Sequence, residues 1–95
     1  MEIRDVVRLR AFSEEKMKKI NLFETQNMFC DVYCFRPGQS QKSHTHAGSD
    51  KIYHVLEGRG TFFVGGESRA LSAGKCAWAP AGVEHGVVND SDADL

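Results

Sequence analysis

The strongest constraint on the fold is a rhythm of short apolar stretches. From Lys42 onward KSHTH, KIYHVLE, GTFFV, SRAL, KCAWA and GVVN follow one another, with glycine-containing turns such as EGRG, VGGE and SAGK among them. Upstream, INLFET and MFCDVYCF are rich in β-branched and aromatic residues, and PGQS marks the loop that follows. Short strands broken at such intervals argue for an all-β antiparallel sandwich or barrel. The one helical signal is RAFSEEKMKKI, Arg10 to Ile20, where Ser13 can cap and Glu14 and Glu15 fill the first turn, a short N-terminal element that could amount to a single helical turn. No internal repeat and no linker interrupts the series, so residues 1–95 are expected to form one domain.

Successive side chains on a strand point to opposite faces. In KIYHVLE one face therefore carries Lys51, Tyr53 and Val55, and the other Ile52, His54 and Leu56. In MFCDVYCF one face is Met28, Cys30, Val32 and Cys34, the other Phe29, Asp31, Tyr33 and Phe35. If the smaller aliphatic and thiol set points inward, three aromatics face outward, which predicts a partner surface and a homodimer.

The chain-wide numbers exclude several classes. Twelve basic and thirteen acidic residues leave a formal net charge of -1, with no basic stripe to neutralise nucleic-acid phosphates. The charged start MEIRDVVRLR lacks the apolar run of a signal peptide, and no stretch approaches the roughly 20 apolar residues of a membrane span. A cytoplasmic protein is expected. Cys30 and Cys34 stand about 13 Å apart if both lie on one strand, beyond disulfide reach, so reduced thiols are expected too.

His44 and His46 are the first candidates for chemistry. Two apart on a strand, they project from the same face with Cα atoms about 6.6 Å apart, and two imidazoles so placed can converge on one ion. A solvated or packed histidine pair would look the same in isolation.

The surrounding pattern adds to this. Gly38, five residues, His44, Thr45, His46 and later Gly58 resemble the first motif of the cupin family, over residues 38–58. Gly74, five residues, Pro80, Ala81, Gly82, two residues, His85, three residues and Asn89 are similar to its second motif, over residues 74–89. The resemblance implies a cupin β-barrel or jelly roll in which His44, His46 and His85 ligate one divalent transition metal (Zn, Ni, Fe, Mn or Cu). Three neutral nitrogens suit such ions better than oxygen-seeking Mg or Ca. In PAG, proline with its fixed φ and glycine with its free one would form the turn that delivers His85. The family ordinarily continues with an apolar strand after the second motif, where this sequence has only DSDADL. That leads one to expect a shortened chain, or a barrel that closes differently, for instance with a strand exchanged from a partner.

In the family pattern a glutamate, sometimes glutamine or histidine, follows the histidine pair on the next strand. Counting back seven residues from Gly58 reaches Lys51, whereas counting forward from His46 past three residues reaches Asp50. Strand phase turns Lys51 inward with Tyr53 and Val55, and leaves Asp50 at the loop edge as the alternative fourth ligand. An ammonium has no lone pair for a metal, so the expected ligand set is three histidines, as in the thiol and diketone dioxygenases of this family.

Lys51 could instead bind a substrate carboxylate or transfer a proton, or simply lay its stem along the wall and reach solvent. Tyr53 could donate to a ligand or be a buried tyrosine with a local partner. His54 is expected at the surface or in a dimer contact, Cys30, Cys34 and Cys76 in the core, and Trp78 in either the core or the cavity wall. The implied activity is oxygenation, decarboxylation or isomerisation of a small organic acid or carbonyl compound. The alternative is a non-catalytic binding barrel, or one whose metal site has decayed.

Overall fold

The computed structural model describes residues 1–95. After a four-residue helical turn, α1 (Val6–Leu9), eight strands follow: β1 (Lys18–Glu24), β2 (Phe29–Cys34), β3 (Ser40–His44), β4 (Lys51–His54), β5 (Arg59–Val64), β6 (Glu67–Ser72), β7 (Cys76–Ala79) and β8 (His85–Val88). Every strand expected from the sequence is present. They form three antiparallel sheets: a β1-β2 hairpin, a four-stranded sheet in the order β3-β8-β5-β6, and a β4-β7 pair.

The core joins all three. Phe35, Tyr53, Val55, Phe62 and Val87 form its buried centre, with Met17, Tyr33, Leu71, Ala77 and Leu95 packed against it. Alternation sorts β4 as its sequence requires: Tyr53 and Val55 are buried and Lys51 half-buried, while Ile52, His54 and Leu56 are exposed. This is the all-β barrel expected, built by side chains of alternate phase meeting from different sheets.

The helical signal is displaced. Arg10 to Ile20 does not form a helix, because from Lys18 onward the chain is a strand paired with β2, Lys18 opposite Cys34. The Ser13 hydroxyl accepts the N–H of Glu15 in a local turn, while Asp5 caps the real helical turn by accepting the N–H of Arg8. Ladder hydrogen bonds over seven residues outweigh a local capping preference.

Strand β2 also differs from expectation. Its aromatic face turns inward toward its end: Phe35 is a core residue and Tyr33 packs against the core. Phe29, 58% exposed, is the one aromatic of the three that faces out. Aromatic rings bury more apolar area than thiols, which decides the face. The outward aromatic surface from which a homodimer was expected is therefore not present on β2. Cys34 is buried, but Cys30 and Cys76 are exposed rather than core residues, and all three thiols are free. Trp78 lies on the outer face of β7, opposite Ile52, and neither fills the core nor lines the site.

The residues after β8 fold back over the barrel. Asn89, wholly buried, donates to the carbonyls of Phe35 and Ala93, and its own side-chain oxygen accepts from the N–H and hydroxyl of Ser91. Leu95 then exchanges two backbone hydrogen bonds with Phe35, at 2.8 and 2.9 Å. The edge beside Phe35 is thus paired within the chain. No helix is long and apolar enough to cross a membrane.

Candidate metal centre

The sheet register brings the two motifs together. His44 at the end of β3 and His85 at the start of β8 are direct partners across the antiparallel ladder, with a register irregularity between Gln41 and His44. Gly86 makes that approach possible: a Cβ there would stand 2.7 Å from Ser43 Oγ and 3.0 Å from both Gln41 O and Ser43 Cα. His46 joins from the loop beyond β3. The ring centroids lie 4.5 Å apart for His44 and His85, 4.7 Å for His44 and His46, and 5.5 Å for His46 and His85. Ligand atoms of all three lie within 4.8 Å of one another.

Two of the rings have an assigned tautomer. His44 Nδ1 lies 2.9 Å from the carbonyl of Lys42, and His85 Nδ1 lies 2.9 Å from that of Val83. A carbonyl only accepts, so Nδ1 carries the proton in both and Nε2 presents a lone pair. For His85, which is 1% exposed, that Nε2 is buried and has no hydrogen-bond partner. A buried lone pair left unpaired is costly. The pKa of His46 is lowered from its ordinary 6.5, first by the hydration its ring loses, then by the charges of His44, His85, Lys51 and Lys19. A lowered value favours the neutral imidazole that a metal requires.

The PAG turn is clamped to the first motif from two sides. Gly82, at φ +82°, donates its N–H to the carbonyl of His46 at 2.8 Å, and Ala81 donates its N–H to the Asp50 carboxylate at 2.9 Å. Asp50 is exposed and stands outside the three-histidine cluster. Its carboxylate braces the turn that precedes His85.

Lys51 has the inward phase. Its ammonium does not stream out to solvent but donates to the Tyr33 hydroxyl at 2.7 Å, 4.5 Å from the Tyr33 ring centroid and 5.1 Å from that of Tyr53. Tyr53 in turn donates to Gln41 Oε1 at 2.7 Å and lies 6.0 Å from the His85 ring. Burial, and then the neighbouring Tyr33, push the Tyr53 hydroxyl above its ordinary pKa of 10.0, so it stays protonated. His54 is exposed on the outer face, as expected.

Reasoning from the sequence does not single out Tyr33, Gln41 or Gly86. Tyr33 shares its strand phase with Phe35, and taking the aromatic face of β2 as inward would find it.

Comparison with known proteins agrees with this geometry. The Cupin domain family profile matches residues 31–95. An uncharacterized protein of Aquifex aeolicus (strain VF5) is 32% identical over 91 residues, covering 96% of this chain and 74% of that one. Among solved structures, TT1209 from Thermus thermophilus superposes with a TM-score of 0.95 at 48% identity, over 99% of this chain and 90% of that chain. An uncharacterized conserved protein with a double-stranded beta-helix domain from Klebsiella pneumoniae gives a TM-score of 0.91 at 26% identity, over 99% and 83% of the two chains. Both motifs fall within the matched region, and the histidines they carry meet at one point: the chain belongs to the cupin family.

Proposed function

We propose that residues 1–95 are a single cupin domain whose His44, His46 and His85 hold one divalent transition ion, Zn, Ni, Fe, Mn or Cu, and which acts on a small organic acid or carbonyl compound. The observation that carries this reading is the buried, unpartnered Nε2 of His85 beside two further imidazoles. A metal gives that lone pair a partner, and the carbonyls of Val83 and Lys42 hold the rings in the tautomer that offers it. Neutral nitrogen donors without a carboxylate fit a transition ion and fit Mg or Ca poorly.

Such an ion supplies Lewis acidity toward a bound carbonyl or carboxylate, or a site for oxygen chemistry. Oxygenation, decarboxylation and isomerisation all use that property. The chain's own residues set the surroundings. His46, the most exposed of the three, marks the open side, and Lys51 presents a positive charge on the wall. The Tyr53 hydroxyl, spent on Gln41 and held protonated, orients that wall rather than acting as a base.

We also propose a cytoplasmic location, with which three free thiols are compatible. A homodimer is proposed as well, for which the exposed pair Ile52 and Trp78 on the outer face of β4 and β7 offers an apolar surface.

Thermal unfolding against Zn, Ni, Mn and Fe(II) tests the metal reading. At a hundredfold excess over Kd, one of these ions should raise the midpoint by about 10–20 °C, and no shift with any of them would sink it. Oxygen uptake and product analysis with thiols, diketones and small acids test the activity. A metal-loaded protein that turns over none of them would favour a binding barrel without catalysis.

A further inference from the structure

We infer that the Lys51 ammonium, held by Tyr33 on the wall beside the three histidines, is the seat for the carboxylate of a small organic acid. The inference deepens the proposed function, and its second anchor, at the histidine cluster, rests on that reading. The seat itself does not.

Lys51 is a half-buried cation without a counter-ion. The ion pairs of the chain all belong to arginines: Arg4, Arg10, Arg36 and Arg69. An ammonium has three donors, and Lys51 spends one, on the Tyr33 hydroxyl. The faces of Tyr33 and Tyr53 hold the charge in place without neutralising it. A lysine that merely covered the barrel wall would send its head into solvent. This one is pinned inward instead.

No carboxylate of the chain forms an ion pair with Lys51. The three histidines bring no charge when neutral, and a bound divalent ion would add more of the same sign. Asp50, the acid beside Lys51 in sequence, spends a carboxylate oxygen on the N–H of Ala81. Lys51 Nζ stands 5.1 Å from the Tyr53 ring centroid, and that ring lies 6.0 Å from the ring of His85. A positive wall next to three metal-competent nitrogens is balanced by an anionic ligand that spans both. One ammonium with two unspent donors complements a single carboxylate, whereas a phosphate dianion calls for more donors or an arginine fork.

Tyr33 is a positioning residue in this scheme. It comes from the β1-β2 hairpin, and its hydroxyl accepts the Lys51 proton that would otherwise point elsewhere. Its ring also sits edge-on to Phe35, at 6.3 Å between centroids, so the hairpin anchors the lysine to the core.

The test is calorimetric titration of the metal-loaded and the metal-free protein. The probes are pyruvate, malonate and benzoate, their neutral amides, and inorganic phosphate, with metal content measured in parallel. At least one carboxylate should bind, and Lys51→Met should weaken it tenfold or more without changing metal content. The matching amide should bind weakly and be indifferent to the substitution. Tyr33→Phe, which keeps the ring and removes the acceptor, should weaken carboxylate binding several-fold and leave the amide unaffected. Carboxylate binding equal in wild type and Lys51→Met, or none in either form of the protein, would overturn the inference. Phosphate binding that is tighter and equally dependent on Lys51 would overturn the carboxylate assignment. Lys51-dependent carboxylate binding by a protein that takes up no metal would support the seat while removing the metal reading.

Discussion

His44 and His85 face each other as register partners across β3 and β8, their ring centroids 4.5 Å apart. The approach depends on Gly86, where a methyl group would meet Ser43 and the backbone of Gln41 at 2.7–3.0 Å. Gly86→Ala should therefore cost about 1–3 kcal/mol, the usual penalty of overpacking a closed site. The Ser43 hydroxyl can turn away, but the two backbone contacts at 3.0 Å ask β3 and β8 to part by a few tenths of an ångström, so metal affinity should fall together with the unfolding midpoint. A variant with unchanged stability and metal affinity would show that the close approach is not needed.

Asp50 should behave as a brace and not as a ligand. Asp50→Ala releases the N–H of Ala81 from its charged acceptor, a loss of about 1–3 kcal/mol at most and less here because the site is exposed. Metal stoichiometry should not change. Loss of the ion in Asp50→Ala, with the stability of the metal-free protein intact, would restore a four-ligand site.

Tyr53→Phe should keep the core packing of the ring against Phe62, 5.2 Å away between centroids, and remove the hydrogen bond to Gln41. A destabilisation of about 0.5–1.5 kcal/mol is expected from chemical denaturation. A much larger loss would mean that the hydroxyl holds more of the wall than Gln41 alone.

The pH dependence of the metal-free protein follows from His46. Its pKa is lower in the folded chain than the ordinary 6.5, so between those two values the unfolded chain binds more protons. Stability should be fully present above about 6.5 and decline as pH falls through and below it. His46→Gln should flatten that part of the profile. A profile with the same slope in the variant would assign the loss to other groups.

Much of this architecture is legible in the sequence because two periodicities agree. Glycine turns delimit each strand from β3 to β8, and alternation within β4 sorts Lys51, Tyr53 and Val55 from Ile52, His54 and Leu56 as found. The meeting of His44 with His85 rests on long-range register, and motif resemblance makes it foreseeable where local spacing does not. The displaced helix shows the opposite case. Ser13 and the glutamates after it carry a sound capping signal, but Lys18 to Glu24 gains more from pairing with β2. Strand β2 misleads because both its faces are apolar, and alternation alone does not say which one is buried. That ambiguity conceals Tyr33, and with it the partner that holds Lys51.

The most direct measurement is the metal content of the purified, metal-loaded wild-type chain beside that of His85→Ala, after removal of free ion. His85 supplies the buried lone pair on which the metal reading rests. The expected result is one ion per wild-type chain and none retained by a folded His85→Ala. A wild-type chain without metal, or a variant that keeps the full complement, would contradict it.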